Sequence, residues 1–157
     1  MKILVVGAGW QIGRQLCASA HSDGHDVAAV QADRSVPRHV TIVDGTLSDP
    51  DTLGAAMDGV DAVCCTLGPA DGPADSTETV ITAMADAEVD RLVAVSTAAV
   101  LQATPTRLRI DTTGSYVADN AAAHMAVYEQ LRASDLDWTL ACPPAVSDGA
   151  STHHYRT

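Results

Sequence analysis

Short apolar runs alternate with longer helix-like stretches along the chain, and this alternation constrains the fold more than any other feature. The apolar runs predict six strands, at Ile3–Val6, Asp26–Gln31, Val40–Val43, Ala62–Cys65, Leu92–Val95 and Trp138–Cys142. The stretches between them predict helices that begin near Ile12, Pro50, Ser76 and Tyr116. Strands that alternate with helices form a parallel sheet with helices on both faces. The sequence therefore predicts an α/β fold with a doubly wound parallel sheet.

The length and composition fit one domain that spans residues 1–157. A chain of 157 residues, 46% of them hydrophobic, can bury its own core but leaves no room for a separate substrate domain. The N-terminus carries no basic stretch followed by a long apolar run. No apolar run approaches the roughly 20 residues that span a bilayer. We therefore expect a cytoplasmic protein that has no membrane partner.

The net charge indicates which partners to expect, and the cysteine spacing indicates whether a metal site is present. The formal net charge is −11 and the nine basic residues are scattered, so nucleic acid is not an expected partner. The four cysteines, at positions 17, 64, 65 and 142, show neither CxxC spacing nor a nearby histidine cluster of the zinc type. We expect buried, reduced thiols and no metal site.

The segment GAGWQIG at positions 7–13 joins the first predicted strand to the first predicted helix. Gly7 and Gly9 supply a turn and Gly13 falls in the first helical turn, which is how a Rossmann dinucleotide-binding unit begins. The strict GxGxxG pattern has glycine where this chain has Ile12, and the related GxxGxxG pattern has glycine where it has Trp10. The segment is a variant loop that fits either a working dinucleotide site or a strand-to-helix turn alone.

A second loop, GPADGPAD at positions 68–75, follows the fourth predicted strand. Doubly wound sheets place their ligands at the carboxyl ends of their strands. The two loops therefore predict one ligand-binding edge.

Three longer segments carry a family resemblance: VDGTLSDPDTLGAAMDGVDAVCCTLG, VDRLVAVSTAAVL and YEQLRASDLDWTLACPP. In order and spacing they resemble the atypical short-chain dehydrogenases with an NAD(P)H-binding domain. Within these the chain is most similar to the biliverdin-IXβ reductase and flavin reductase group, with the NmrA-like regulators as related proteins. The resemblance covers nearly the whole chain. It implies a single Rossmann-like domain, NADP or NAD as cofactor, and a small-molecule substrate.

The resemblance also implies which residues contact the cofactor. Backbone amides at the first loop would face the pyrophosphate, from Gly7, Gly9, Trp10, Gln11, Ile12 and Gly13. The family usually has glycine at the position of Trp10. Thr46 and Leu47 would lie near the adenine, Leu67 and Gly68 would flank the cofactor, and Pro143 would border the nicotinamide or the substrate.

The choice between NAD and NADP depends on the segment after the second predicted strand. The family often has an arginine for the 2′-phosphate of NADP at the position of Ala32. Asp33 suits a contact with a ribose hydroxyl, and Arg34 suits a contact with the 2′-phosphate. Both also fit solvated turn residues, so the sequence leaves the choice open.

The reaction chemistry is not that of an ordinary short-chain dehydrogenase, which uses tyrosine and lysine in a YxxxK motif. The segment YVADN, from Tyr116 to Asn120, lacks the lysine, and Lys2 is the single lysine of the chain. The resemblance implies catalytic roles for Ser96 and Thr97 at the end of the fifth strand and for His124 on the following helix. The alternatives are a polar strand end that caps backbone groups and a histidine on the helix surface.

These observations predict an NAD(P)H-dependent reductase of a flavin-like or other conjugated small molecule. The alternative is a non-catalytic NAD(P)-binding sensor, because the missing YxxxK motif fits both. The related proteins usually continue for another strand and a terminal helix, which we expect this chain to lack. An exposed sheet edge would then favour a homodimer.

Overall fold

The computed structural model describes residues 1–30, 36–68, 71–104, 107–108 and 115–143. The strands in these ranges are β1 (Lys2–Val6), β2 (Asp26–Val30), β3 (Thr41–Val43), β4 (Ala62–Cys65), β5 (Arg91–Val95), β6 (Gln102–Thr104), β7 (Arg107–Leu108) and β8 (Asp137–Ala141). The helices are α1 (Gln11–Ser22), α2 (Pro50–Ala56), α3 (Pro73–Asp86) and α4 (Ser115–Ala133). A short 3-10 turn covers Ala98–Val100.

Six of these strands form one parallel sheet in the order β3-β2-β1-β4-β5-β8. The strands β2 and β3 extend the sheet on one side of β1, and β4, β5 and β8 extend it on the other side. The order reverses between β1 and β4, where Val6 pairs with Cys65. The predicted doubly wound α/β fold is confirmed, and the reversal marks the point where such sheets hold their ligands.

The two faces of the sheet are buried by different helices, because alternate strand residues point to opposite faces. One face packs beneath α1, and its core comprises Val5, Ala8, Cys17, Ala20, Val27, Ala29, Val36 and Val40. The core of the other face is larger and lies beneath α2, α3 and α4; its most buried members include Leu4, Val6, Leu53, Val63, Met84, Leu92 and Leu131. The apolar runs are therefore long enough to bury both faces of the central strands.

Local chemistry explains where α2 and α3 begin. The Asp49 carboxylate caps α2 by accepting hydrogen bonds from the Asp51 N–H at 3.2 Å and the Thr52 hydroxyl at 2.6 Å, and Pro50 begins the helix as the sequence predicts. The prediction that α3 begins near Ser76 was wrong. The helix begins at Pro73 because Gly72 adopts φ +58° as the capping residue and proline suits the first helical position.

Two further features bear on the expectations from the sequence. The strands β6 and β7 pair in antiparallel orientation, and the apolar pattern did not predict either strand. Residues 144–157 lie outside the described part, so the predicted lack of a further strand and helix stays a prediction. In the described residues, no helix is both long and apolar enough to cross a membrane.

Candidate functional site

Gly7 begins the turn that leaves β1. Its φ is +84°, a conformation that favours glycine. A Cβ at this position would also lie 2.9 Å from the carbonyl oxygen of Thr66, which directly follows β4. The residue must therefore be glycine for the first loop to pass this close to β4.

Gly13 allows α1 to approach the same turn. A Cβ on Gly13 would lie 2.6 Å from the carbonyl oxygen of Gly7 and 2.6 Å from the hydroxyl oxygen of Thr66. That hydroxyl in turn lies 3.1 Å from the carbonyl oxygen of Val6 and 3.0 Å from that of Gly7. Sequence reasoning missed Thr66, although a threonine directly after β4 was a usable signal. Together these residues fix the helix against the ends of two neighbouring strands.

The amino end of α1 opens toward this turn. Trp10 is the capping residue, its side chain makes no capping hydrogen bond, and the first turn contains no acidic residue. Gln11 is exposed, Gly9 and Ile12 are half-buried, and Gly13 is buried. Main-chain amides and the positive end of the helix dipole form a site that suits a phosphate group. The site has the backbone shape that the sequence predicted, and contact with a dinucleotide stays a prediction.

The Trp10 side chain adds a contact that the sequence did not predict. The indole ring is 43% exposed and lies on Gly68, where a Cβ would be 2.5 Å from a ring carbon. The indole N–H donates to the Asp71 carboxylate at 2.5 Å. The same carboxylate oxygen accepts the Gly68 N–H at 2.7 Å. Asp71 was missed as a site residue, although it lies in the second loop that the sequence placed at the ligand edge.

Three of the other predicted cofactor residues, Leu47, Leu67 and Thr46, offer different groups to a ligand. Leu47 and Leu67 are 4% and 7% exposed, so their side chains belong to the core and only their main chain can reach a ligand. Thr46 is exposed after β3, with its hydroxyl 3.2 Å from that of Ser48. The specificity candidates Asp33 and Arg34 lie outside the described residues.

Ser96 and Thr97 follow β5 but have different surroundings. The Ser96 N–H donates to the carbonyl oxygen of Ala141 at 2.8 Å. Its buried hydroxyl oxygen has no hydrogen bond of standard geometry to the described residues, and it lies close enough to the Cys142 thiol to offset part of the rise that burial causes in the pKa of that thiol. The Thr97 hydroxyl oxygen accepts the Ala99 N–H at 3.3 Å and caps the 3-10 turn. Pro143 is half-buried, and its carbonyl oxygen accepts the Ala98 N–H at 3.0 Å. The turn is thereby tied to the end of β8.

His124 lies on the buried side of α4, which contacts both α3 and the 3-10 turn. Its side chain is 6% exposed, so the alternative of a surface histidine is wrong. The imidazole Nδ1 is buried and makes no hydrogen bond to the residues that the structure describes. Burial lowers the pKa of His124 below its usual value, which favours the neutral ring at neutral pH.

The cysteines have the properties of structural thiols. Cys17 and Cys65 are buried, and Cys64 and Cys142 are half-buried. Burial raises the pKa of Cys17 to about 11 and that of Cys65 to about 12, and it also raises the pKa of Cys64 and Cys142. The thiols are therefore protonated at neutral pH and are poor nucleophiles.

Two solved structures of bacterial proteins are similar to this chain. A protein from Burkholderia pseudomallei, provisionally named as exported, is 29% identical with a TM-score of 0.79, over 89% of this chain and 70% of that one. A protein from Streptococcus pneumoniae, provisionally named an NADH-flavin reductase, is 25% identical with a TM-score of 0.77, over 89% and 70%.

A further neighbour carries a bound cofactor. A short-chain dehydrogenase/reductase from Veillonella parvula, in complex with NADP, is 19% identical with a TM-score of 0.72, over 88% of this chain and 67% of that one. This likeness shows the fold alone. No curated protein matches the chain. The family model described as NAD(P)H-binding matches residues 7–157, so the chain belongs to the NAD(P)H-binding family.

Proposed function

We propose that this protein is an NAD(P)H-dependent reductase that transfers a hydride to a flavin-like or other conjugated small molecule. The observation that carries the proposal is the loop at residues 7–13, where glycines bring the amino end of α1 against the ends of β1 and β4. The name of the 25% identical neighbour, an NADH-flavin reductase, supports the substrate class. A reaction that consumes NAD(P)H also favours the cytoplasm as its location.

In this proposal, different residues bind the cofactor and transfer the proton. The amides at the start of α1 would hold the pyrophosphate of the dinucleotide, and the segment after β4 would flank the cofactor. Bound NAD(P)H supplies a hydride to an electrophilic conjugated ring. The reduced ring then needs a proton, which His124 donates from its imidazolium form and regains from solvent. The Ser96 hydroxyl, which makes no hydrogen bond of standard geometry to the described residues, is available to orient the substrate.

The low pKa of His124 determines how the rate depends on pH. A general acid acts in its protonated form, and burial keeps most of this imidazole neutral at pH 7. Turnover should therefore rise as the pH falls across the neutral range and level off below the lowered pKa of His124. His124→Ala should remove this rise and slow turnover by about 10²-fold.

The measurement is flavin- and quinone-dependent oxidation of NADH and NADPH from pH 5.5 to 8.5. It compares the parent with His124→Ala and Thr97→Val, and cofactor affinity is measured for each protein. If the parent turns over and His124→Ala is equally fast at every pH, the role of His124 is wrong. Equal rates for Thr97→Val and the parent would leave Thr97 with its capping role alone.

The second candidate function is a non-catalytic sensor that binds NAD(P) and reports the redox state to a partner. Two observations favour it: the imidazole of His124 is almost fully buried, and the Thr97 hydroxyl already accepts a backbone hydrogen bond. A parent protein that binds the nucleotide but reduces neither flavins nor quinones would support the sensor.

A further inference from the structure

The Trp10 side chain connects the two elements between which the dinucleotide would lie. Trp10 immediately precedes α1, whereas Gly68 and Asp71 follow β4. The carboxyl ends of β1 and β4 are neighbours at the reversal of strand order, the place where doubly wound sheets bind their ligands. The indole therefore crosses the crevice that the proposed function assigns to the cofactor.

Asp71 holds the indole in this position. Its Oδ2 accepts hydrogen bonds from the Trp10 indole N–H and from the Gly68 main-chain N–H. The ring fills the space directly above Gly68, because any Cβ there would overlap it. The Asp71 carboxylate and the Trp10 indole thus occupy space that the phosphate and ribose groups of a bound dinucleotide would need.

The contact can open without loss of the core. The Trp10 side chain is 43% exposed, and it is not a member of either buried core cluster. Asp71 is held independently, since its backbone N–H donates to the Gly68 carbonyl oxygen and its carbonyl oxygen accepts the Ser76 hydroxyl. Rotation of the indole away from Gly68 would therefore leave Gly68 and Asp71 in place.

We infer that Trp10, Gly68 and Asp71 form a latch that closes the dinucleotide site in the free protein. The dinucleotide binds after the indole leaves Gly68 and the hydrogen bond to Asp71 breaks. The inference rests on the proposed function, since the ligand is the cofactor of that site. A closed latch lowers the apparent affinity in proportion to the fraction of molecules that are open. Trp10 and Asp71 thereby set the nucleotide concentration at which the protein responds.

Four variants test the latch by its effect on the dissociation constant of NADPH, measured by calorimetry without any reducible substrate. Trp10→Gly removes the ring and should tighten binding most, by about tenfold. Trp10→Phe keeps a ring but removes the N–H donor, and Asp71→Ala removes the acceptor, so each should tighten binding by about three- to fivefold. Asp71→Asn keeps an acceptor oxygen without the charge and should tighten binding less than Asp71→Ala.

A second measurement follows the indole itself. In a Trp138→Phe background, Trp10 is the single tryptophan. NADP⁺, which does not absorb at the wavelengths of tryptophan emission, should increase the quenching of Trp10 by acrylamide, because opening the latch exposes the ring. Unchanged or reduced quenching on a bound nucleotide would overturn the latch.

The affinities separate failure of the latch from failure of the proposed function. Binding that is equal in the parent, Trp10→Gly and Trp10→Phe would overturn the latch and leave the cofactor assignment intact. Weaker binding in Trp10→Phe would make the indole N–H a ligand contact and would also overturn it. An equal gain in Asp71→Asn and Asp71→Ala, with none in Trp10→Phe, would replace the latch by charge repulsion. No binding of NADH or NADPH at millimolar concentration to any variant, Trp10→Gly included, would overturn the proposed function itself.

Discussion

The glycine turn at residues 7–13 and the polar segment after β5 lie at the same edge of the sheet, yet they are constrained in opposite ways. In the turn, Gly7 and Gly13 have backbone atoms where a Cβ would be, so packing dictates the residue type. In the second region, the Ser96 hydroxyl after β5 and the His124 Nδ1 on α4 are buried and make no hydrogen bond of standard geometry to the described part of the chain, so packing does not require these polar atoms. The comparison teaches that the first region is needed for the fold itself. Residues of the second region that packing does not explain are candidates for function.

Gly13→Ala tests the first half of the comparison and should have the largest effect. The new Cβ would lie 2.6 Å from a main-chain oxygen, 2.6 Å from the Thr66 hydroxyl and 2.8 Å from the Ala8 Cα. Two of these neighbours are backbone atoms that can move only with the turn. We expect the free energy of unfolding to fall by about 2 to 3 kcal/mol, measured by urea denaturation.

Gly54→Ala is the matched control for that change. Gly54 is an exposed residue inside α2, and a Cβ there would meet nothing within 4 Å. Because alanine loses less backbone entropy in a helix, this substitution should raise the free energy of unfolding by about 0.5 to 1 kcal/mol. Equal effects of the two substitutions would show that the close approach at Gly13 does not constrain the residue.

His124→Leu tests the second half of the comparison. A buried polar atom without a partner lowers stability by about 1 to 3 kcal/mol, and an apolar side chain of similar size removes that effect. We expect His124→Leu to raise the free energy of unfolding by about 1 kcal/mol at pH 7.5. His124→Gln keeps a polar group in the same place and should show no such gain. A loss of stability in the leucine variant would mean that the imidazole has a structural partner.

The pH dependence sharpens the same test, and its sign follows from the lowered pKa of His124. The unfolded chain takes up the proton near pH 6.5, before the folded protein does, so the parent loses stability as the pH falls from about 7.5 toward the lowered pKa. The leucine variant lacks this loss. Its stability advantage over the parent should therefore grow between pH 7.5 and 5.5, measured by urea denaturation across this range. A constant difference would show that His124 titrates normally in the folded protein.

Features set by the local sequence could be predicted, whereas contacts between distant residues could not. Apolar runs and helix signals such as Pro50 predicted the strands and helices in their order along the chain, because burial and helix initiation depend on local sequence. The glycines of the turn were recognised for the same reason. The contact between Trp10 and Asp71 joins residues far apart in sequence, and the burial of His124 depends on how α4 packs, so neither could be predicted from the local pattern.

Ser96→Ala and Thr97→Ala, two neighbouring substitutions, should have the smallest effects and opposite signs. Within the described residues the Ser96 hydroxyl has only a weak contact with the Cys142 thiol to lose, so alanine should leave the free energy of unfolding unchanged or raise it by about 0.5 kcal/mol. The Thr97 hydroxyl caps the turn at Ala99, so alanine should lower the same free energy by about 0.5 to 1 kcal/mol, and Thr97→Ser should restore most of it. Thermal and urea unfolding of the three variants can be compared directly with the reductase rates. One outcome is that Ser96→Ala slows turnover without changing the free energy of unfolding, while Thr97→Ala lowers that free energy without slowing turnover. That result would assign the Ser96 hydroxyl to the reaction and the Thr97 hydroxyl to the fold. If Ser96→Ala instead lowers stability as much as Thr97→Ala, both hydroxyls belong to the scaffold and the contrast between the two regions does not extend to Ser96.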